Sequence, residues 1–286
     1  MALYYYFCSR YFFSMTIKAR NRFYLVFFAF SLVLLILFLI LFHYQKFTDT
    51  LVLPKVYQPE GASTSILTGY RPFFSFLSIF LQMFYVSGIS ITILYAFYKT
   101  QAGELGYFLL FLLSMLLDSL RIAIPLLQLS NTYSSALGTI SNLIFTGTIL
   151  SPISLLALVL FSAEAYRQNL EQNCLIILVA AAFFAFAIPL NTGILLPNFA
   201  LSCSFKRIVW TTYIVFSLIA VFSLLIINFK DEISQLMTLG FFLLEFGALL
   251  LRQSYSLLHL LIAVIVLWTG TFIYFKELHN RYLWNS

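Results

Sequence analysis

Eight runs of about twenty apolar residues, joined by short connections, restrict this chain more than any motif in it. They cover 23–42, 73–98, 107–129, 139–161, 174–190, 208–227, 233–251 and 257–275. Lipid offers no partner to open backbone, so each run is expected to form a helix. The composition agrees: 62% of residues are hydrophobic and only 9% charged, whereas soluble domains carry about 25% charged residues. Mean hydropathy is +0.97. The expected fold is all-α, a polytopic transmembrane bundle of about eight spans. Its first partner is the lipid bilayer, and the connections leave no room for a sizeable soluble domain.

Residues 1–22 are expected to form a cytoplasmic tail, with Met15 an alternative start. The first run, 23–42, follows Lys18, Arg20 and Arg22 as a signal sequence would. Its twenty residues exceed the 7–15 typical of a cleaved leader, and no small-residue cleavage site follows, so an uncleaved signal-anchor is expected. Residues 43–72 then form an external loop, with a turn-like stretch from Pro59 to Ser63. A seven-helix domain occupies 73–286 and ends in a short cytoplasmic tail. With the N-terminus inside, nine basic residues fall on the cytoplasmic side and six outside; the sixteenth, Arg121, lies within a run. The positive-inside rule therefore places both termini in the cytoplasm. No N-x-S/T sequon occurs, and the layout fits a bacterial cytoplasmic (inner) membrane.

The net charge of +6 does not imply nucleic acid, because the basic residues are scattered singly between apolar segments. The three cysteines have neither metal-ligand spacing nor a disulfide pattern, and no cofactor is implied. Motifs for a zinc hydrolase, a serine elbow or a phosphate loop are missing, which argues against an enzyme.

The third run carries Asp118 and Arg121 inside it. A charge at bilayer depth costs roughly 2.5 to 3.5 kcal/mol on insertion scales, so such residues face protein and often mark a functional pathway. A helix starting at Tyr107 puts Asp118 roughly 16 Å in, with Arg121 one turn further on the same face. Their spacing permits an ion pair within the helix. Pro125 clashes with the carbonyl four residues back, at Arg121, and should disturb the helix there. A self-neutralised pair and a solute or proton path both fit.

In the seventh run Glu245 lies between Thr238 and Arg252, each seven residues away and so on nearly the same face. His259 follows across a short turn, where it could reach Arg252 or Glu245 or simply pack. Asn142 and Thr146 on the fourth run, and Ser75, Ser78, Gln82 and Tyr85 on the second, serve either as interhelical glue or as a pore lining. Asn191 to Phe205 reads as an interfacial loop or a segment dipping into the outer leaflet. Trp210, Trp268, Tyr274 and Trp284 lie near run ends, as an aromatic belt would. Arg71, Arg121, Lys206, Arg207 and Arg252 share the outer half; were they to converge, an anionic small solute or lipid headgroup would be favoured there.

The leading functional reading is a permease-like or transport-associated bundle with a polar seam of Asp118, Arg121, Glu245 and Arg252, flanked by Asn142, Gln82 and His259. A seven-helix sensor acting through a membrane-protein partner is the second, resting on layout alone. The third is a structural or assembly subunit in which the charges pair between helices.

Overall fold

Every apolar run forms a helix in the computed structural model, which describes residues 17–51, 67, 69–98, 103–129, 135–160, 170–230 and 235–284. Met15, Cys8 and most of the 43–72 connection, including Pro59 to Ser63, lie outside the described residues. The helices are α1 (Ile17–Phe47), α2 (Pro72–Ala96), α3 (Glu104–Leu126), α4 (Ser135–Leu160), α5 (Leu170–Ala187), α6 (Lys206–Lys230), α7 (Gln235–Gln253) and α8 (Leu257–Trp284). All eight are long and apolar enough to cross a membrane. They run alternately up and down, so one end of the bundle holds the start of α1 and the end of α8. The opposite end holds the α3–α4, α5–α6 and α7–α8 connections.

The charges explain which helix is central. α3, with Asp118 and Arg121 in its interior, is the most enclosed at 78% buried, whereas α1 and α5 are each 11% buried. An apolar helix can face lipid at no cost, but a helix with internal charges must be covered by protein. α1, α5 and α6 turn outward side chains such as Phe30, Phe183 and Phe222, more than half exposed. On a water-soluble protein such continuous apolar surface would drive association; around a membrane bundle it is the lipid-facing wall.

Two departures from regular helix have local causes. α3 tightens into a 3-10 turn at Leu120–Ile122 and resumes as α-helix at Ala123–Leu126. The turn ends three residues before Pro125 and contains Arg121, whose carbonyl the ring would otherwise strike. α8 continues beyond the apolar run that ended at Phe275, through Trp284. Its polar end is held because Arg281 Nη1 reaches Glu104 Oε1 at 3.4 Å and Leu278 is buried.

The segment expected as an interfacial loop is instead a hairpin. β1 (Leu190–Leu195) pairs antiparallel with β2 (Leu201–Cys203), with a register irregularity between Asn191 and Leu195. Strand pairing satisfies backbone groups that a loose loop would leave open beside lipid. Phe199 at the turn has φ 65° and is fully buried, its ring centroid 4.9 Å from that of Phe76 on α2. A bulky residue in the left-handed region is strained, and here aromatic packing holds it.

At the end holding the termini, Arg20 Nη2 donates to the Phe97 carbonyl at 2.7 Å and Asn21 Nδ2 to the Tyr98 carbonyl at 2.9 Å. Arg20, a topology signal by sequence, thus also covers open carbonyls at the end of α2. Tyr274 is not in an interfacial belt: it is buried in an aromatic cluster with Phe108, Phe241 and Phe275.

α7 and α8 make the most extensive helix contact, followed by α3 and α4. Small residues set both. A Cβ on Gly247 would lie 2.5 Å from Leu267 N, and one on Gly147 would lie 2.5 Å from the Ser114 carbonyl oxygen. The backbones meet directly, the favoured arrangement where helix association gains little from burial. Gly247→Ala should destabilise the protein by about 1–3 kcal/mol through overpacking. Gly138→Ala, where a Cβ meets nothing within 4 Å, should leave thermal unfolding in detergent unchanged or slightly improved.

Candidate functional site

Asp118 sits where three helices meet. α3 begins at Glu104, earlier than the apolar run, so Asp118 lies about 21 Å along a helix of about 34 Å. That places it just past the middle of the helix, towards the hairpin end. Its Oδ1 is 3.3 Å from Arg252 Nε at the end of α7, and its Oδ2 is 3.8 Å from Arg121 Nη1. Gln82 on α2 bridges the pair: its Nε2 donates to Asp118 Oδ2 at 3.1 Å and to the Met115 carbonyl at 2.8 Å, and its Oε1 accepts from Arg121 Nη2 at 3.1 Å. Arg121 is fully enclosed and Asp118 is 2% exposed.

Arg252 connects this network to the hairpin. Its carbonyl accepts from Arg121 Nη1 and, at 3.1 Å, from Asn198 Nδ2. As one of the last carbonyls of α7 it has no partner within the helix, so outside donors are needed. The Arg252 cation also lies at the negative end of the helix dipole, where positive charge is favoured. Its Nη1 reaches the Thr148 carbonyl on α4 at 3.5 Å.

Beside the network is a partly open cavity of about 340 Å³. Asp118 and Arg252 line its charged side; α4 contributes Ser141, Ile144 and Phe145, α6 contributes Trp210 and Tyr213, and the hairpin contributes Leu196 and Asn198. Ser141 is 3% exposed, yet its Oγ has no hydrogen-bond partner. The buried Tyr213 hydroxyl faces Ser151 Oγ without closing a well-formed hydrogen bond. Buried polar atoms are nearly always paired, so two under-used hydroxyls at one cavity are notable.

Four of the expected seam residues separate into two groups. Asp118, Arg121 and Arg252 come together with Gln82, while Glu245 does not join them: it is buried and accepts a hydrogen bond from Ser217 on α6. His259 Nδ1 is 2.7 Å from Ser256 Oγ, and its ring lies against Tyr255 rather than Arg252 or Glu245. Asn142 is half-buried, and its carbonyl accepts from Thr146 Oγ1 at 2.8 Å; neither residue lines the cavity. On α2, Ser78 bonds to the Ser75 carbonyl, Ser75 to the Pro197 carbonyl and Tyr85 to Thr271, which is interhelical or local bonding rather than a pore lining. Of the basic residues in this half, Arg121 and Arg252 converge, while Arg71 and Arg207 are exposed. Among the described residues no group of three or more His, Cys, Asp and Glu could hold a metal ion. Ser141, Tyr213 and Asn198 were not singled out by sequence, since an isolated hydroxyl or loop amide in an apolar chain carries no periodic signal.

Asp118→Asn removes the only carboxylate between two buried guanidiniums and should cost about 3–5 kcal/mol, the penalty for stranding buried charge. The double change Asp118→Asn/Arg252→Gln keeps the same net charge as the native network and should cost clearly less than the sum of the single changes. Chemical or thermal unfolding of the three variants in detergent measures the coupling.

No protein-family model matches this chain, no curated protein matches its sequence, and no solved structure matches its fold.

Proposed function

We propose that this chain is a permease-like or transport-associated membrane protein whose solute site is the cavity between the hairpin, α4, α6 and the Asp118–Arg252 pair. One observation carries the reading: an ion pair lines a cavity of ligand size instead of being sealed among packed side chains. Pockets that take small molecules run from about 300 to 1,000 Å³, mostly apolar with a few placed polar groups. The cavity is of that kind. Intramembrane charge next to such a space is the usual sign of a substrate path. In this reading the protein lies in the cytoplasmic membrane with both termini inside, which the distribution of basic residues supports. The hairpin and cavity then face outward, and α1 remains as an uncleaved anchor. Its link to α2 through the Ser31–Ser87 hydroxyl contact of 2.9 Å supports retention.

A structural or assembly role is the second reading. It is favoured by the Gln82 bridge between Asp118 and Arg121, which forms with no ligand. The two readings separate in one experiment. Uptake profiling of a deletion strain across solutes should reveal a lost accumulation that is reproduced by Asp118→Asn and not restored by Asp118→Asn/Arg252→Gln. Normal accumulation of every solute in the deletion strain, with assembly defects in the single variants repaired in the double, would establish the structural role. Reporter fusions at Thr64, Thr132 and the C-terminus should read outside, outside and inside; an external C-terminus would reverse the orientation and place the cavity on the cytoplasmic side.

A further inference from the structure

We infer that the cavity takes a monoanionic oxyanion head carrying an apolar body, with Arg252 supplying the charge and Ser141 and Tyr213 the hydrogen bonds. The inference rests on the solute-binding reading above and assigns it a chemical class. Charge is the first ground. One carboxylate and two guanidiniums meet in the network, which leaves one positive charge without a counter-ion among the described residues. Arg121 is committed to Gln82 and to the Arg252 carbonyl and does not line the cavity, whereas Arg252 does. Glu245, the buried acid of α7, is engaged by Ser217 and does not line it either. A single negative charge completes the balance. A dianion would meet the Asp118 carboxylate on the same wall, and a neutral head would leave the excess charge buried and unpaired.

Donor placement is the second ground. Ser141 Oγ is enclosed, unpartnered and on the wall formed by α4; the Tyr213 hydroxyl is enclosed on the α6 side. An oxyanion accepts hydrogen bonds and donates none, so it suits the unpartnered Ser141 hydroxyl and a Tyr213 hydroxyl whose contact with Ser151 is poorly formed. Much of the remaining wall, including Ile144, Phe145, Leu196 and Trp210, is apolar or aromatic and fits a hydrocarbon body. A soluble carboxylate and a phosphodiester lipid headgroup share this chemistry.

The test uses the purified full chain in phosphatidylcholine nanodiscs and equilibrium dialysis with labelled octanoate, octanamide and octylammonium. Octanoate alone should bind saturably, and Ser141→Ala should weaken it about tenfold, the usual effect of losing one hydrogen bond to a charged group, with unchanged thermal unfolding. Should Ser141→Ala fold poorly, Tyr213→Phe replaces it. Repeating the titration in discs containing phosphatidylglycerol identifies the source. Competitive loss of octanoate binding points to a lipid headgroup and unchanged binding to a soluble anion, and both support the assignment. Octanamide binding as tightly as octanoate would overturn the anionic class while leaving a solute cavity in place. If none of the three probes bound, the solute-binding reading would fall with it.

Discussion

The Asp118 carboxylate is the point from which the arrangement of α2, α3 and α7 follows. Each of its oxygens is used: one faces Arg252, and the other receives Gln82 and lies near Arg121. Relative to apolar side chains of similar volume, a buried pair of this kind adds little net stability. Its effect is selective. A helix register that failed to bring these groups together would leave bare charge in a medium without water, and that cost exceeds what other helix packings could recover. The network thus decides which helices are neighbours, while the glycine contacts at Gly147 and Gly247 decide how closely they approach.

The cavity is a consequence of that choice. α7 is drawn towards α3 at the hairpin end by Arg252 and towards α6 lower down by Glu245 and Ser217. α6 remains peripheral, 17% buried, and meets α4 and α7 without filling the space above Asp118. The hairpin closes part of that space. It is attached from two directions, by Ser75 Oγ to the Pro197 carbonyl at 2.8 Å and by Asn198 Nδ2 to the Arg252 carbonyl at 3.1 Å. Phe199, next along the chain, is driven into a strained backbone conformation to pack on Phe76. The roof is therefore fastened to the same residue that lines the floor.

Element existence was readable in the sequence because a span needs about twenty apolar residues, and no other structure absorbs that many. Ends were less readable: the apolar run stops at Phe275, yet α8 continues because Arg281 finds Glu104, a residue far away in sequence. The pairing of Asp118 with Arg121 followed from i, i+3 spacing. That Arg252 would be the nearer partner depended on how α3 meets α7, which no periodicity states. Glu245 illustrates the limit. It shares a face with Arg252, but seven residues also separate them by about 10 Å along the axis, enough for different neighbours. The hairpin was missed because two short strands of six and three residues, with a register irregularity, lack the alternation that marks a strand.

Sequence alone suggested a choice between a closed ionic network, if the third and seventh helices touch, and an open cavity, if they do not. The structure removes the opposition. The helices touch through Asp118 and Arg252, and the cavity lies against the hairpin side of that same contact. Partial compensation explains how both persist. The C-terminal carbonyls of α7 carry roughly half a negative charge, which offsets part of the excess on Arg252 and lets it remain enclosed without a second carboxylate. A bundle built only for stability has little reason to keep a second arginine in so costly a position; in the anion-binding reading proposed above, the cavity gives that charge a purpose.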